Sequence, residues 1–245
     1  MRYIPSSPRT NSLFTNTHPL HSEPQNHMFS EMRSVLGIPK SVDILEHVYS
    51  LSPPSAQHEA MESIRAIERR EMARQMPQPG LAELMAYLDR RGVPKAICTR
   101  NFDAPVNHLL TKFLPGSVFH PVITREFRPP KPDPAGILFI ARSWGLVRSA
   151  AAGPGPSPKD APNGNPPAGG DAAEELGDAS GLIMVGDSID DMTAGRKAGA
   201  ATVLLVNKVN EHLSEHAHTD MVITKLDELV HLLERGFAGH DIADS

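Results

Sequence analysis

Leu182-Ile183-Met184-Val185-Gly186-Asp187-Ser188-Ile189-Asp190-Asp191 is the stretch on which the fold turns. Four apolar residues in succession read as a strand buried on both faces, the kind that occupies the middle of a parallel sheet. Gly186 ends the run, and an acid, a hydroxyl and two further acids follow before a helical pattern over 189–199. Acids crowded at a strand end repel one another unless a cation or hydrogen-bond donors are present, and oxygen ligands of this kind suit Mg²⁺. Asp187 is expected in the crevice at the strand end. Asp191, one helical turn later, can return to the same place. Asp187 or Ser188 can also serve as an ordinary helix N-cap, but a cap needs one such residue and not three acids.

The surrounding chain repeats this alternation. A helix over 81–91 leads to the strand Ala96-Ile97-Cys98, and a helix follows at about 103–114. Residues 118–124 are strand-like around Pro121, and 134–145 is helical. Beyond the opening stretch come a strand over Ala201–Val206, a short strand at 221–224 and a last helix at 226–236. Apolar strands alternating with helices predict βαβ units, hence an α/β fold with a Rossmann-like parallel sheet covered on both faces. In such sheets polar chemistry collects at the carboxyl ends of the strands.

Two further strand ends carry suitable groups. In Ile97-Cys98-Thr99-Arg100-Asn101 a hydroxyl sits where a strand gives way to a helix, so Thr99 and nearby backbone N–H groups can hold a phosphate, or Thr99 can simply cap the helix. Arg128-Pro129-Pro130-Lys131-Pro132-Asp133-Pro134 surrounds one lysine with four prolines. A lysine held in so stiff a loop neutralises an anion at little ordering cost, although a rigid turn with a solvent-facing lysine has the same sequence.

Taken in the order Thr99, Lys131 and Gly186-Asp187-Ser188-x-x-Asp191, these elements resemble the haloacid dehalogenase (HAD) superfamily over about residues 28–236, the insertion described below excluded. The resemblance implies that Thr99 hydrogen-bonds a phosphoryl group and that Lys131 neutralises phosphate and nucleophile. It implies Asp187 as a Mg²⁺ ligand, and Asp191 as a second ligand or an acid that orients bound water. Arg100, Asn101, Gly186, Ser188 and Asp190 are the supporting residues. Residues 28–79 look like the small α-helical cap of that superfamily. The implied activity is Mg²⁺-dependent hydrolysis of a small phosphomonoester, with a small phosphorylated metabolite as the partner.

One part of the pattern is absent. The first motif of the superfamily is a strand ending in Asp-x-Asp, which supplies the nucleophile and the acid/base. It should precede the cap, near residues 10–25, where this chain reads Asn11-Ser12-Leu13-Phe14-Thr15-Asn16-Thr17-His18-Pro19-Leu20-His21-Ser22-Glu23-Pro24-Gln25. The first Asp of the chain is Asp43, and no two Asp residues anywhere stand as Asp-x-Asp. Only Ile4 and Leu13-Phe14 offer strand material ahead of residue 16. The sequence therefore predicts that the central first strand is missing and that this chain has negligible turnover. The alternatives are a non-catalytic phosphate/Mg²⁺-binding or interaction protein, or a truncated gene product whose upstream sequence carries the motif.

Composition bounds the rest. The 245 residues carry 24 Lys+Arg against 29 Asp+Glu, with 40% hydrophobic residues, which suits a folded core. The slightly acidic balance, without a basic block, argues against nucleic acid. No apolar run approaches the length of a membrane span. Cys98 is the only cysteine, which excludes a disulfide framework. Eleven of the eighteen residues 153–170 are Gly or Pro, so 148–180 reads as a flexible Gly/Pro-rich insertion. Residues 1–27 read as a disordered or mis-assigned N-terminus. The core then comprises 80–147 and 181–238, with a tail at 239–245. No signal peptide is evident, so the expected location is cytoplasmic, with a mitochondrial transit segment as the weaker reading. Arg65, Arg69, Arg70 and Arg74 read as a solvated helix face, and His212, His216 and His218 as a polar helix end.

Overall fold

The computed structural model describes residues 2–4, 12–15, 26–74, 76–149 and 175–239. Strand β1 (Arg2–Ile4) is followed by β2 (Ser12–Thr15) and then by three helices, α1 (Asn26–Leu36), α2 (Ile44–Ser50) and α3 (Pro54–Arg74). The core continues as α4 (Leu81–Arg91), β3 (Lys95–Cys98), α5 (Asp103–Phe113), β4 (Val122–Ile123), α6 (Ala135–Ser143) and β5 (Val147–Ser149). It resumes with β6 (Glu175–Gly177), β7 (Leu182–Gly186), α7 (Ile189–Ala198), β8 (Ala201–Leu205), β9 (Met221–Ile223), α8 (Glu228–Arg235) and β10 (Phe237–Gly239).

The main sheet has six parallel strands in the order β4-β3-β2-β7-β8-β9. The expectation of a missing central strand is corrected here: Ser12–Thr15 lies between β3 and β7 and pairs with both. Thr15 stands across from Ile97 on one side and Val185 on the other. Four residues suffice because a central strand is held by backbone hydrogen bonds to two neighbours, and an empty slot would leave both buried edges unpaired. The first 27 residues, read as disordered or mis-assigned, thus contribute this strand and also β1, which pairs antiparallel with β10.

Side chains of β7 alternate between two cores, as a period-two strand requires. Ile183 and Val185 join α4, α5 and α8 on one face through Leu84, Leu88, Leu109 and Leu229. Leu182 and Met184 join α6 on the other face through Ile137 and Ile140. Burying each such side chain contributes about 1.5–3 kcal/mol. Gly195 of α7 sits where a Cβ would come 2.8 Å from Thr202 Cγ2 and 2.9 Å from Met184 Cβ, so it lets α7 lie close on the sheet.

Helices α1, α2 and α3 share a core of Met28, Met32, Ile44, Val48, Ile64 and Ile67, and Phe102 from the start of α5 packs against it. Asp43 begins α2 by accepting from Leu45 N at 2.9 Å and Glu46 N at 3.1 Å. On α3, Arg65 and Arg69 reach Glu62, and Arg70 pairs with Glu31 of α1. The segment read as an insertion over 148–180 has ordered edges: Val147–Ser149 pairs antiparallel with Glu175–Gly177, and Ala179 is buried. Its Gly/Pro-rich middle lies outside the described residues. Of the histidine trio, His212 lies in a single 3₁₀ turn over Glu211–Leu213, and Thr193 Oγ1 and His218 Nδ1 share a hydrogen bond of 2.9 Å. Among the described residues no helix is long and apolar enough to cross a membrane.

Candidate active-site crevice

The carboxyl ends of β3 and β7 flank the end of β2, and the residues singled out above converge there. Lys131 is buried, and its ammonium donates to the Cys98 carbonyl at 2.7 Å and to Asp191 Oδ1 at 2.6 Å. The proline-rich loop therefore turns its lysine inward rather than to solvent. One cation ties the end of β3 to the first turn of α7.

Asp191 is fully buried and does more than face Lys131. Its Oδ2 accepts from Ser188 Oγ at 2.7 Å and from the Ser188 and Asp187 backbone N–H groups at 3.2 and 3.3 Å. Ser188 caps α7 and forms a reciprocal capping box with Asp191, so the cap and the site are made of the same atoms. Gly186 is required by this packing: a Cβ at that position would overlap Asp191 Cβ. The Gly-Asp-Ser run thus leaves room for Asp191, the third acid after β7, to fold back.

Thr99 is buried at the end of β3 and accepts from Asn101 N at 3.0 Å, which fixes the hydroxyl against the following turn. Arg100 pairs with Asp190 at 2.7 Å, linking the β3 loop to α7. Asp187, half-buried, continues β7 into the crevice, and its backbone carbonyl accepts from Asn210 Nδ2 at 2.8 Å.

Two residues that the sequence reading passed over complete the surroundings. Asn210 also donates to the Leu205 carbonyl at 3.0 Å, locking the ends of β7 and β8 together, and the Asn207-x-x-Asn210 spacing just after a strand was its only signal. Arg125 stands two residues beyond β4 as Arg100 stands two beyond β3, so the strand-end rule applied to β4 points to it. Its guanidinium reaches Asp43 Oδ2, at the start of α2, at 3.1 Å and lies 5.7 Å from the Phe102 ring centre. Burial lowers the Arg125 pKa, with Asp43 opposing. At Asp43 burial works to raise the pKa, but the Glu46 N–H, Arg125 and the Leu45 N–H outweigh it and hold the carboxyl below its ordinary value.

A third missed group is Glu68 on α3. It is only 5% exposed and lines a cleft of about 350 Å³ with Arg65, Arg69, Phe102 and Thr124. Burial pushes its carboxyl up to about 7, against the pull of Arg125, Arg65 and Arg69. Cys98 lies in the core and its thiol is pushed up, first by burial. Thr99 and Lys131, with Arg100, Arg125 and Phe127, line a small cavity of about 10 Å³, enough for about one water molecule.

This arrangement can receive an anion: a buried lysine, strand-end N–H groups and two arginines surround a pocket at the sheet's carboxyl edge. Among the described residues no three His, Cys, Asp or Glu side chains group as a metal site.

Residues 164–229 match the family model described as HAD-hydrolase-like. The chain is 37% identical over 216 residues to an uncharacterized hydrolase of Saccharomyces cerevisiae, across 86% of this chain and 85% of the yeast protein. It is 28% identical over 155 residues to phosphoglycolate phosphatase 1 of Pseudomonas aeruginosa, across 62% of this chain and 45% of that protein. A HAD hydrolase of family IA, variant 3, from Entamoeba histolytica shares the fold with a TM-score of 0.62 at 17% identity, covering 92% of this chain and all of that one.

Proposed function

Because the chain belongs to the haloacid dehalogenase-like hydrolase family and is related to phosphoglycolate phosphatases, we propose that it takes a small phosphomonoester between Thr99, Lys131 and Asp187, and that the chain as written binds it without turning it over. The observation that carries this reading is the contrast between the ends of β3 and β7 and the end of β2 that they flank. At β3 and β7 Thr99, Lys131 and Asp187 come to the same crevice, with Lys131 fixed by Cys98 O and Asp191. At β2, between them, the chain runs from Thr15 into Asn16-Thr17-His18 and reaches no carboxylate before Glu23.

Hydrolysis by an aspartyl nucleophile splits one displacement into two, and it needs the carboxylate that attacks. Lys131, Thr99 and nearby N–H groups stabilise charge around such a transfer but cannot replace the attacking group. In this chain Lys131 neutralises the phosphate, Asp191 and the Cys98 carbonyl hold Lys131 in place, and Arg100 screens the crevice toward the cap.

The resemblance to the superfamily implies Mg²⁺ as the cofactor. Two of the three acids after β7 already face a cation, Asp191 facing Lys131 and Asp190 facing Arg100. Mg²⁺ is commonly held by one or two carboxylates together with substrate phosphate. The donor set thus fits Mg²⁺ on Asp187 when a phosphate shares the ion, and a bound ion there would further neutralise phosphoryl oxygens.

The test is calorimetric titration of the full chain with inorganic phosphate, with and without Mg²⁺, alongside an aryl-phosphate hydrolysis assay. Phosphate binding that strengthens with Mg²⁺ and disappears in Lys131→Met, without turnover, supports the reading. Turnover by the unaltered chain that Asp187→Asn abolishes overturns the claim of inactivity, and absence of phosphate binding overturns the site.

A further inference from the structure

Between α1, the start of α2 and the ends of β3 and β4 lies a cleft of about 480 Å³, a size that suits a small ligand. Its charged walls are Arg33, Lys40, Arg100 and Arg125 against the single carboxylate of Asp43. Arg100 and Arg125 also line the small cavity beside Thr99 and Lys131, so the two spaces share a wall.

The charges in this cleft are not balanced from within. Arg100 answers Asp190, and Arg125 answers Asp43, which is also engaged in capping α2. Arg33 and Lys40 answer no acid among the described residues. Arg33 Nη1 makes one long bond to the Phe29 carbonyl at 3.4 Å, and its buried Nε has no partner. A buried guanidinium nitrogen left without an acceptor is costly, and an anion in the cleft would satisfy it and relieve the mutual repulsion of the four cations.

We infer that this cleft seats a second anionic group of the substrate, so the ligand is a short phosphomonoester with a carboxylate or a further phosphate at its other end. The inference rests on the phosphate-binding reading above. Lys131 and Thr99 hold the phosphoryl group, Arg100 and Arg125 stand between the two anions, and Arg33 and Lys40 of the cap select for the second. A neutral tail would leave those two cap cations unanswered.

The experiment titrates the full chain in Mg²⁺ buffer with three probes: glycerol 3-phosphate, 3-phosphoglycerate and propane-1,3-diyl bisphosphate. At least one of the two doubly anionic probes is expected to bind about tenfold or more tightly than glycerol 3-phosphate. Arg33→Met and, separately, the exposed Lys40→Met are expected to shrink that ratio towards one, with thermal melting confirming that each variant folds. Equal affinity for all three probes, or a ratio that survives in both variants, overturns this inference and leaves the phosphate reading standing. Failure of all three to bind overturns both.

Discussion

Lys131 and Asp191, sixty residues apart in the chain, meet at 2.6 Å with side chains 3% and 0% exposed. Removing one member of a buried pair strands the other charge, which commonly costs about 3–5 kcal/mol. Lys131→Met is therefore expected to destabilise the fold by about that amount, because it also takes the donor from the Cys98 carbonyl. In a double-mutant cycle in urea, the combination with Asp191→Leu should cost less than the two single changes summed. Strict additivity would show that the contact contributes nothing.

Gly186→Ala tests the packing that admits Asp191. Its new Cβ collides with the Asp191 side chain, and overpacking of this kind typically costs about 1–3 kcal/mol. Phosphate affinity should fall with it, since displacing Asp191 also releases Lys131. A variant that melts like the parent would show that α7 has slack the structure does not suggest.

Glu68 makes stability depend on pH. Burial raises its carboxyl from an ordinary 4.5 to about 7, so between those values the folded state holds a proton that the unfolded chain has lost. Its stabilising contribution is complete below about pH 4.5 and is lost as the pH rises through about 7. Glu68→Gln removes the titration. Relative to the parent, the variant should gain about 3 kcal/mol between pH 4 and pH 8, read from urea midpoints. Parallel pH profiles would place the group in a wetter setting.

The β2 end is open to reconstruction. Two residues beyond the row Ile97–Thr15–Val185 lie Thr99 on one neighbour and Asp187 on the other, and the chain position two beyond Thr15 is Thr17. Thr15→Asp with Thr17→Asp is expected to raise aryl-phosphate turnover at least about a hundredfold over the parent, as an attacking group and an acid/base are restored. Asn16→Asp with His18→Asp tests the other register. Silence from both pairs would mean that more than two carboxylates is lacking.

Much of this architecture could be read from residues alone. Leu182–Val185 and Ala201–Leu205 are buried apolar runs that only a sheet covered on both faces accommodates, and they lie where periodicity put them. Thr99, Lys131 and the Asp187–Asp191 run were reached by asking what each strand delivers at its carboxyl end. Ser12–Thr15 escaped because its apolar signature is the single pair Leu13-Phe14 between two hydroxylated residues, too short to mark a strand. Its place is fixed by backbone bonds to strands some eighty and one hundred and seventy residues downstream, which no local pattern encodes. Glu68 and Arg33 look like ordinary members of charged helices. Their chemistry comes from how α1 and α3 lie against the sheet's loops, a tertiary fact.

The antiparallel pairing of Val147–Ser149 with Glu175–Gly177 has a bearing on the chain between them. A two-strand neck brings entry and exit to adjacent points, so closure is settled by the neck itself and changes only slowly with the number of residues strung beyond it. The domain thereby possesses a docking port for foreign sequence: a tag, a fluorescent module or a two-residue turn could replace the Gly/Pro tract while the crevice at the far ends of β3 and β7 keeps its geometry.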